Sequence, residues 1–193
     1  MDRPTAPANP REPALGLLWA VALDLLCGLG TALLAQRGAT GSLVGWLRFS
    51  ELLLNTVIVV VGAVWARRCW RNAEAIAPDS QPFRLGWTTA GWVIPGVSLW
   101  MTWRILLGLW RTFGVRGTPL LVHLGGALSV LHLVTFLLPV NRWVLLATGA
   151  PQVVLFVIAI RRITARQFAV LDFPAQESWE AAVEADRAKI SAN

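Results

Sequence analysis

The chain is expected to be an all-α integral membrane protein with four transmembrane helices and a broken Trp/Pro-rich segment, re-entrant or interfacial, between the second and third. Three observations predict this. Of 193 residues, 55% are hydrophobic and only 15% are charged, with a mean hydropathy of +0.57. Soluble domains carry about a quarter charged residues, and a globule this small cannot hide such an excess of apolar side chains. Apolar runs recur at lengths that cross about 30 Å of hydrocarbon. The basic residues fall at the ends of those runs, where they set topology. Disorder, collagen and disulfide scaffolds are excluded by the hydropathy, the aperiodic glycines and a count of two cysteines. Cys27 and Cys69 form no metal-ligand spacing and are read as buried small hydrophobes.

The elements follow in order. Residues 1–13 hold four prolines and no apolar period, so a flexible cytoplasmic tail is expected. The first span, about 14–35, carries one charge, Asp24, and is too long for the core of a secretory signal. The second, about 45–66, contains LLLNTVIVVVGAVWA and ends in RRCWR; the third and fourth cover about 120–140 and 143–160, the last ending in RRITAR. Residues 169–193 are acidic, and Ser178 can cap a cytoplasmic helix with Trp179, Val183 and Ile190 on one face.

Residues 85–113 form the broken segment. Nineteen uncharged residues precede Arg104, enough to span, yet Gly86, Gly91, Pro95 and Gly96 interrupt them. A mid-helix proline removes a hydrogen bond and clashes with the preceding turn. Unsatisfied backbone in hydrocarbon costs several kcal/mol, so such a break needs shelter. Charge arithmetic decides how often the chain crosses. With four crossings and the N-terminus inside, fourteen Lys/Arg lie inside and three (Arg37, Arg48 and Arg142) outside; with five crossings the count is six against eleven. The positive-inside bias selects four, with both termini cytoplasmic.

Five of the eleven tryptophans lie between Trp87 and Trp110. Tryptophan prefers the headgroup level, which also accounts for Trp19, Trp46, Trp65, Trp70 and Trp143 at span ends. A helix starting at Pro95 and reaching about Phe113 puts Trp103 and Trp110 on one stripe and Arg104 and Arg111 on another. Trp100 and Arg104, four apart, are placed for a cation–π contact. Trp103, Arg104, Trp110 and Arg111 are thus expected to form a platform on the cytoplasmic leaflet that attracts anionic lipid.

Here the sequence resembles a bacterial membrane-protein family known as domain of unknown function 4328. The resemblance rests on Arg71-Asn72-Ala73-Glu74 after the second span, then Gly91-Trp92, Pro95 and Leu99-Trp100, and finally Arg161 to Gln167 (RRITARQ). Ser98 stands where the family has Asn, and Thr102 where it has Pro. By span order the resemblance covers roughly residues 14–168. It implies four transmembrane helices around the Trp/Pro segment, a bacterial inner-membrane location and no known reaction.

Within the spans, four residues are candidates for a polar membrane site: Asp24, Glu51, Asn55 and His132. A charge at mid-span costs about 2.5–3.5 kcal/mol on insertion scales, so Asp24 should face other helices. Cys27, Gly28 and Thr31 share its face; Glu51 and Asn55 share another, with Arg48 one turn back. His123 and His132 are nine residues apart, so they point to opposite sides of a helix, about 13.5 Å apart in height. They cannot hold one metal ion or haem iron together, and His132 with Ser129 and Gly125 forms a small, polar face. No nucleophile–base motif, phosphate loop or metalloprotease motif occurs, so neither enzymatic activity nor a cofactor is expected. The basic excess is read as topology, and no nucleic-acid partner is expected. The leading functional expectation is a non-enzymatic module that associates with lipids or membrane-protein partners through the Trp/Arg platform. Small-residue faces also permit homo-oligomers. The alternative is a small-solute or proton-linked transporter using Asp24.

Overall fold

Prolines and glycines, more than polarity, decide where these helices end. A computed structural model describes residues 8–38, 41–78, 81, 83–94, 97–138 and 141–171. They form α1 (Arg11–Gln36), α2 (Ser42–Ile76), α3 (Leu85–Val93), α4 (Val97–Thr112), α5 (Leu120–Leu137) and α6 (Arg142–Val170), with no strand among the described residues. Ile94 and Leu138 each precede a proline and are extended, with ψ of 114° and 152°, which stops α3 and α5. The end of α4 is a Schellman turn: Gly114 takes φ +56°, Val115 N–H bonds the Trp110 carbonyl and Gly114 N–H bonds that of Arg111. Asn141 caps α6 by accepting from Trp143 N–H.

Three helices, α1, α2 and α6, are long and apolar enough to cross a membrane. The 18 residues of α5 are apolar but extend only about 27 Å, short of the expected full span. Both α2 and α6 run ten residues past the expected ends at 66 and 160. Their extensions stay helical because they carry a buried stripe, Cys69, Trp70, Asn72 and Ala73 on α2 and Ile163, Thr164 and Gln167 on α6. The N-terminal tail gives way to helix at Arg11, ahead of the expected residue 14, and Pro13 is tolerated in the first turn. Residues 1–7 of that tail and the acidic segment from 172 onward lie outside the described residues.

The long helices pair as antiparallel hairpins held by small residues. Gly16 abuts Val61 and Gly30 abuts Leu47 between α1 and α2; Gly125 abuts Leu155 between α5 and α6. Gly28 of α1 meets Leu146 of α6 and joins the two pairs. No Cα of α2 comes within 8 Å of α5, so the ring α2–α1–α6–α5 stays open on that side. On that side α4 lies across it, touching both.

That bridge lies at the Arg-rich end, where the bulky core also sits. Trp65, Trp70, Ile105, Leu106, Leu109, Trp110 and Ile163 are buried there. Trp65 and Trp70, expected at a lipid interface, are instead fully enclosed: Trp65 Nε1 donates to Thr164 Oγ1 (3.1 Å) and Trp70 Nε1 to Glu74 Oε1 (3.1 Å). The α2 and α6 extensions give these rings a protein surface to pack on. Asn72 clamps the segment ahead of α1, accepting from Ala8 N–H and donating to the Ala8 carbonyl, both at 2.9 Å, and also donating to Gln167 Oε1 (3.0 Å).

The helices α3 and α4 fold back on one another. Gln81, before α3, donates to Thr112 at the end of α4 (2.6 Å), so entry and exit adjoin. The hairpin is seated by two glycines. A methyl on Gly62 of α2 would lie 2.4 Å from the Trp92 indole, and one on Gly91 would lie 2.4 Å from Met101. A side chain at Gly45 of the same α2 helix would meet nothing within 4 Å. Gly62→Ala is therefore expected to cost about 1–3 kcal/mol by overpacking, whereas Gly45→Ala is neutral or stabilising by about 0.5–1 kcal/mol. Thermal unfolding in detergent checks the pair, and equal midpoints would refute the joint.

Candidate functional site: a polar chamber between the helix pairs

The α1–α2 hairpin register brings residues from distant parts of the sequence into one wall. Asp24, near the middle of α1, is half-buried, and its Oδ1 accepts from Asn55 Nδ2 at 3.0 Å. The same amide nitrogen donates to the Glu51 backbone carbonyl at 2.9 Å. One turn away, the Thr31 hydroxyl is hydrogen-bonded to the Glu51 carboxylate. Four-residue spacing puts Glu51 and Asn55 on one face of α2, and that face meets the Asp24–Thr31 face of α1.

The opposite wall comes from α5 and α6. His132 Nδ1 lies 3.0 Å from Thr148 Oγ1. Thr148 directs its hydroxyl proton at the carbonyl of Val144 (3.0 Å) or Leu145 (3.1 Å), and Thr135 donates to the His132 carbonyl (2.8 Å). The imidazole and the two threonine hydroxyls thus form one hydrogen-bonded cluster, with Thr135 Oγ1 3.2 Å from Thr148 Oγ1. The ring fits because residue 149 is glycine; a methyl there would sit 3.0 Å from Cε1. Ser129, one turn below His132, donates to the Gly125 carbonyl at 2.8 Å.

Between the walls is a cavity of about 800 Å³. Its lining on α2 runs from Arg48 to Val59, about 16 Å of helix, and on α6 from Leu145 to Ile160, about 22 Å. Trp92, Ser98 and Thr102 of the α3–α4 hairpin line it at the Arg-rich end. The Trp92 Nε1 atom is buried without a hydrogen-bond partner among the described residues. Most of the remaining surface is aliphatic or aromatic, including Leu17, Val21, Ile58 and Phe156. An apolar pocket with a few convergent polar groups is the usual form of a small-molecule site.

All four candidate polar residues, Asp24, Glu51, Asn55 and His132, line this one chamber. Their convergence depends on pairing between hairpins, which no local spacing reveals. The partners Thr135 and Thr148 are not among the residues singled out from the sequence, and Trp92, singled out there as a family-motif residue, lies on the chamber floor. His123 faces elsewhere, edge-on to Trp103 with ring centroids 5.6 Å apart. Among the described residues no group of three His, Cys, Asp or Glu side chains is placed to hold a metal ion.

The family-motif residues build the frame of the chamber. Asn72 is the tail clamp, Glu74 holds Trp70, Gly91 and Trp92 seat the hairpin, and Arg71 is exposed. Trp100 is exposed and edge-on to Phe83, while Leu99 lies in the first turn of α4 and Pro95 falls outside the described residues. The expected lipid platform divides in two. Arg104 and Arg111 are exposed, and the Arg104 guanidinium lies 5.4 Å from the Trp100 ring centroid and 6.0 Å from that of Phe83. Trp110, however, is 3% exposed, and Trp103 is half-buried against Gly126. The tryptophan stripe of α4 packs on protein because α5, α6 and the α2 extension surround it; the lipid-facing expectation for Trp103 and Trp110 is corrected accordingly.

No curated protein and no solved structure matches the chain. Residues 31–123, from the last turns of α1 to the start of α5, match the family model described as Domain of unknown function (DUF4328).

Proposed function

We propose that the protein is a membrane carrier that binds a small solute in the chamber between its helix pairs. The observation that carries this reading is the meeting of Asp24, Glu51, Asn55 and His132 around about 800 Å³ of cavity, at the level of helices apolar enough to cross a membrane. Ionisable groups within spans are costly, and they mark solute or proton pathways by default. The membrane arrangement behind the reading has four crossings, with α5 as the short one, α3–α4 as a shallow re-entrant hairpin and both termini cytoplasmic. The Gln81–Thr112 bond and the gathering of arginines at one end support it. The chemistry needed is binding and proton exchange, not catalysis.

If the chamber admits solute, Asn55→Cys or Ser98→Cys in a Cys27→Ala background reacts within minutes with a hydrophilic methanethiosulfonate reagent in membranes. Ala63→Cys, packed between helices, stays unlabelled. Protection of both chamber positions would sink the reading. In proteoliposomes under an imposed pH gradient, the native protein should collapse the gradient faster than Asp24→Asn. Identical rates would remove the proton linkage.

A second reading, contact of the basic end with anionic lipid, is favoured by the exposed Arg104 and Arg111 on one stripe of α4. Each basic residue near an anionic surface is worth about 1 kcal/mol. Replacing both with glutamine should lower association of nanodisc-embedded protein with phosphatidylserine liposomes by roughly one order of magnitude or more. Unchanged association counts against this role.

A further inference from the structure

Every polar hydrogen in a binding site is either engaged within the protein or available to a ligand, and the chamber can be counted on that basis. On the α1–α2 wall the Asn55 amide donates to Asp24 and to the Glu51 carbonyl, so its Oδ1 is left as an acceptor. Thr31 has one hydroxyl proton, and its neighbours are the Cys27 carbonyl and the Glu51 carboxylate. On the α5–α6 wall the Ser129 proton goes to Gly125, leaving Ser129 Oγ as an acceptor, and His132 is bonded to Thr148 through Nδ1 alone of its two ring nitrogens. The Asp24, Glu51, Asn55 and Ser129 oxygens therefore present lone pairs, and the donors in the lining are at its ends, Arg48 on α2 and Trp92 Nε1 on the floor, and at Gln152. Ionised, the lining carries two carboxylates, Asp24 and Glu51, against the single guanidinium of Arg48, one helical turn beyond Glu51.

Apart from Ser98, Thr102 and Gln152 the rest of the lining is apolar, and the ring of long helices is open between α2 and α5 above α4. That opening faces the layer occupied by lipid chains, given the exposed leucines and valines on the outer faces of both helices. A ligand complementary to such a site has several N–H donors, a positive charge and an apolar body, and it reaches the site from the bilayer. Resting on the carrier reading above, we propose that the chamber takes an amphiphilic organic cation: a primary or secondary ammonium held at the Asp24–Glu51 wall opposite His132, with its apolar part against Val153 and Phe156.

A matched series tests this on the full-length protein in nanodiscs: 4-phenylbutylammonium, 4-phenylbutan-1-ol and 4-phenylbutyrate, titrated calorimetrically at pH 7 with empty nanodiscs subtracted. The ammonium should bind saturably, on the order of tenfold or more tighter than the alcohol, and the carboxylate should not bind. Asp24→Asn should weaken the ammonium by on the order of tenfold and leave the alcohol unchanged. Glu51→Gln should act in the same direction, and both variants are to be read only at native melting temperature and elution volume. Should either variant fail that control, competition by millimolar sodium replaces it. Sodium that leaves the ammonium bound supports the assignment, and sodium that displaces it assigns the site to inorganic cations. Equal or tighter binding of the alcohol or the carboxylate overturns the cation assignment and leaves the solute chamber standing. Saturable binding by none of the three overturns it as well, and the reactivity of Asn55→Cys then tells whether the chamber reading has failed with it.

Discussion

A chain break within an apolar layer has to be sheltered, and the shelter for this one organises the molecule. At Ile94 the backbone leaves the helix, and in hydrocarbon the freed peptide groups would cost several kcal/mol. The α3–α4 hairpin meets that cost by lying against α2, with Trp92 flat on Gly62 and Met101 nested on Gly91. Once seated, α4 fills the space between α2 and α5 at the Arg-rich end. The helix pairs cannot close above it, and the gap they leave is the chamber, with Trp92 on its floor.

Two kinds of packing are divided along the helix axes. Where lipid is the solvent, association gains nothing from removing apolar surface from water, so it relies on close backbone approach and interhelical hydrogen bonds. The upper parts of α1, α2, α5 and α6 show this pattern, with glycines at the contacts and the Asp24–Asn55 and His132–Thr148 pairs across them. In the membrane arrangement proposed above, the Arg-rich end meets water, where apolar burial is favourable at about 25 cal/mol per Å². There the contacts are bulky: Trp65, Trp70, Trp110, Ile105 and Ile163. The firm end anchors the fold, and the looser end has room for a ligand.

Hydropathy was enough to place the long helices to within a few residues at their starts, since an apolar run of fixed length has few alternatives in a bilayer. It failed at their ends. The α2 and α6 extensions are amphipathic and look like polar loops until each is seen to pack on the other, as Asn72 does on Gln167. Tryptophan was the other source of error. Its ring suits a headgroup layer and a protein core equally well, and only the surrounding helices distinguish exposed Trp19 and Trp46 from buried Trp65, Trp70 and Trp110. The polar residues were legible one by one, because a charge inside a span is costly wherever it falls. Their convergence was not, because it depends on how one hairpin meets the other.

The extent of the family match bears on how structure and specificity are divided. Residues 31–123 contain the Glu51–Asn55 face, the Gly62 seat, the Asn72 clamp and the whole α3–α4 hairpin. They exclude Asp24, His132 and all of α6. The matched part therefore supplies the α2 side of one wall and the floor, and the ring is completed by helices on either side of it. A frame held by packed glycines and tryptophans fixes the position of the cavity whatever ligand it holds. The charge and the donor–acceptor character of that cavity depend in large part on the outside contributions, a carboxylate from α1 and an imidazole from α5 oriented by a threonine of α6. The family match thus speaks to how the frame of the chamber is built, while two of the four polar residues that line it, Asp24 and His132, lie outside the match.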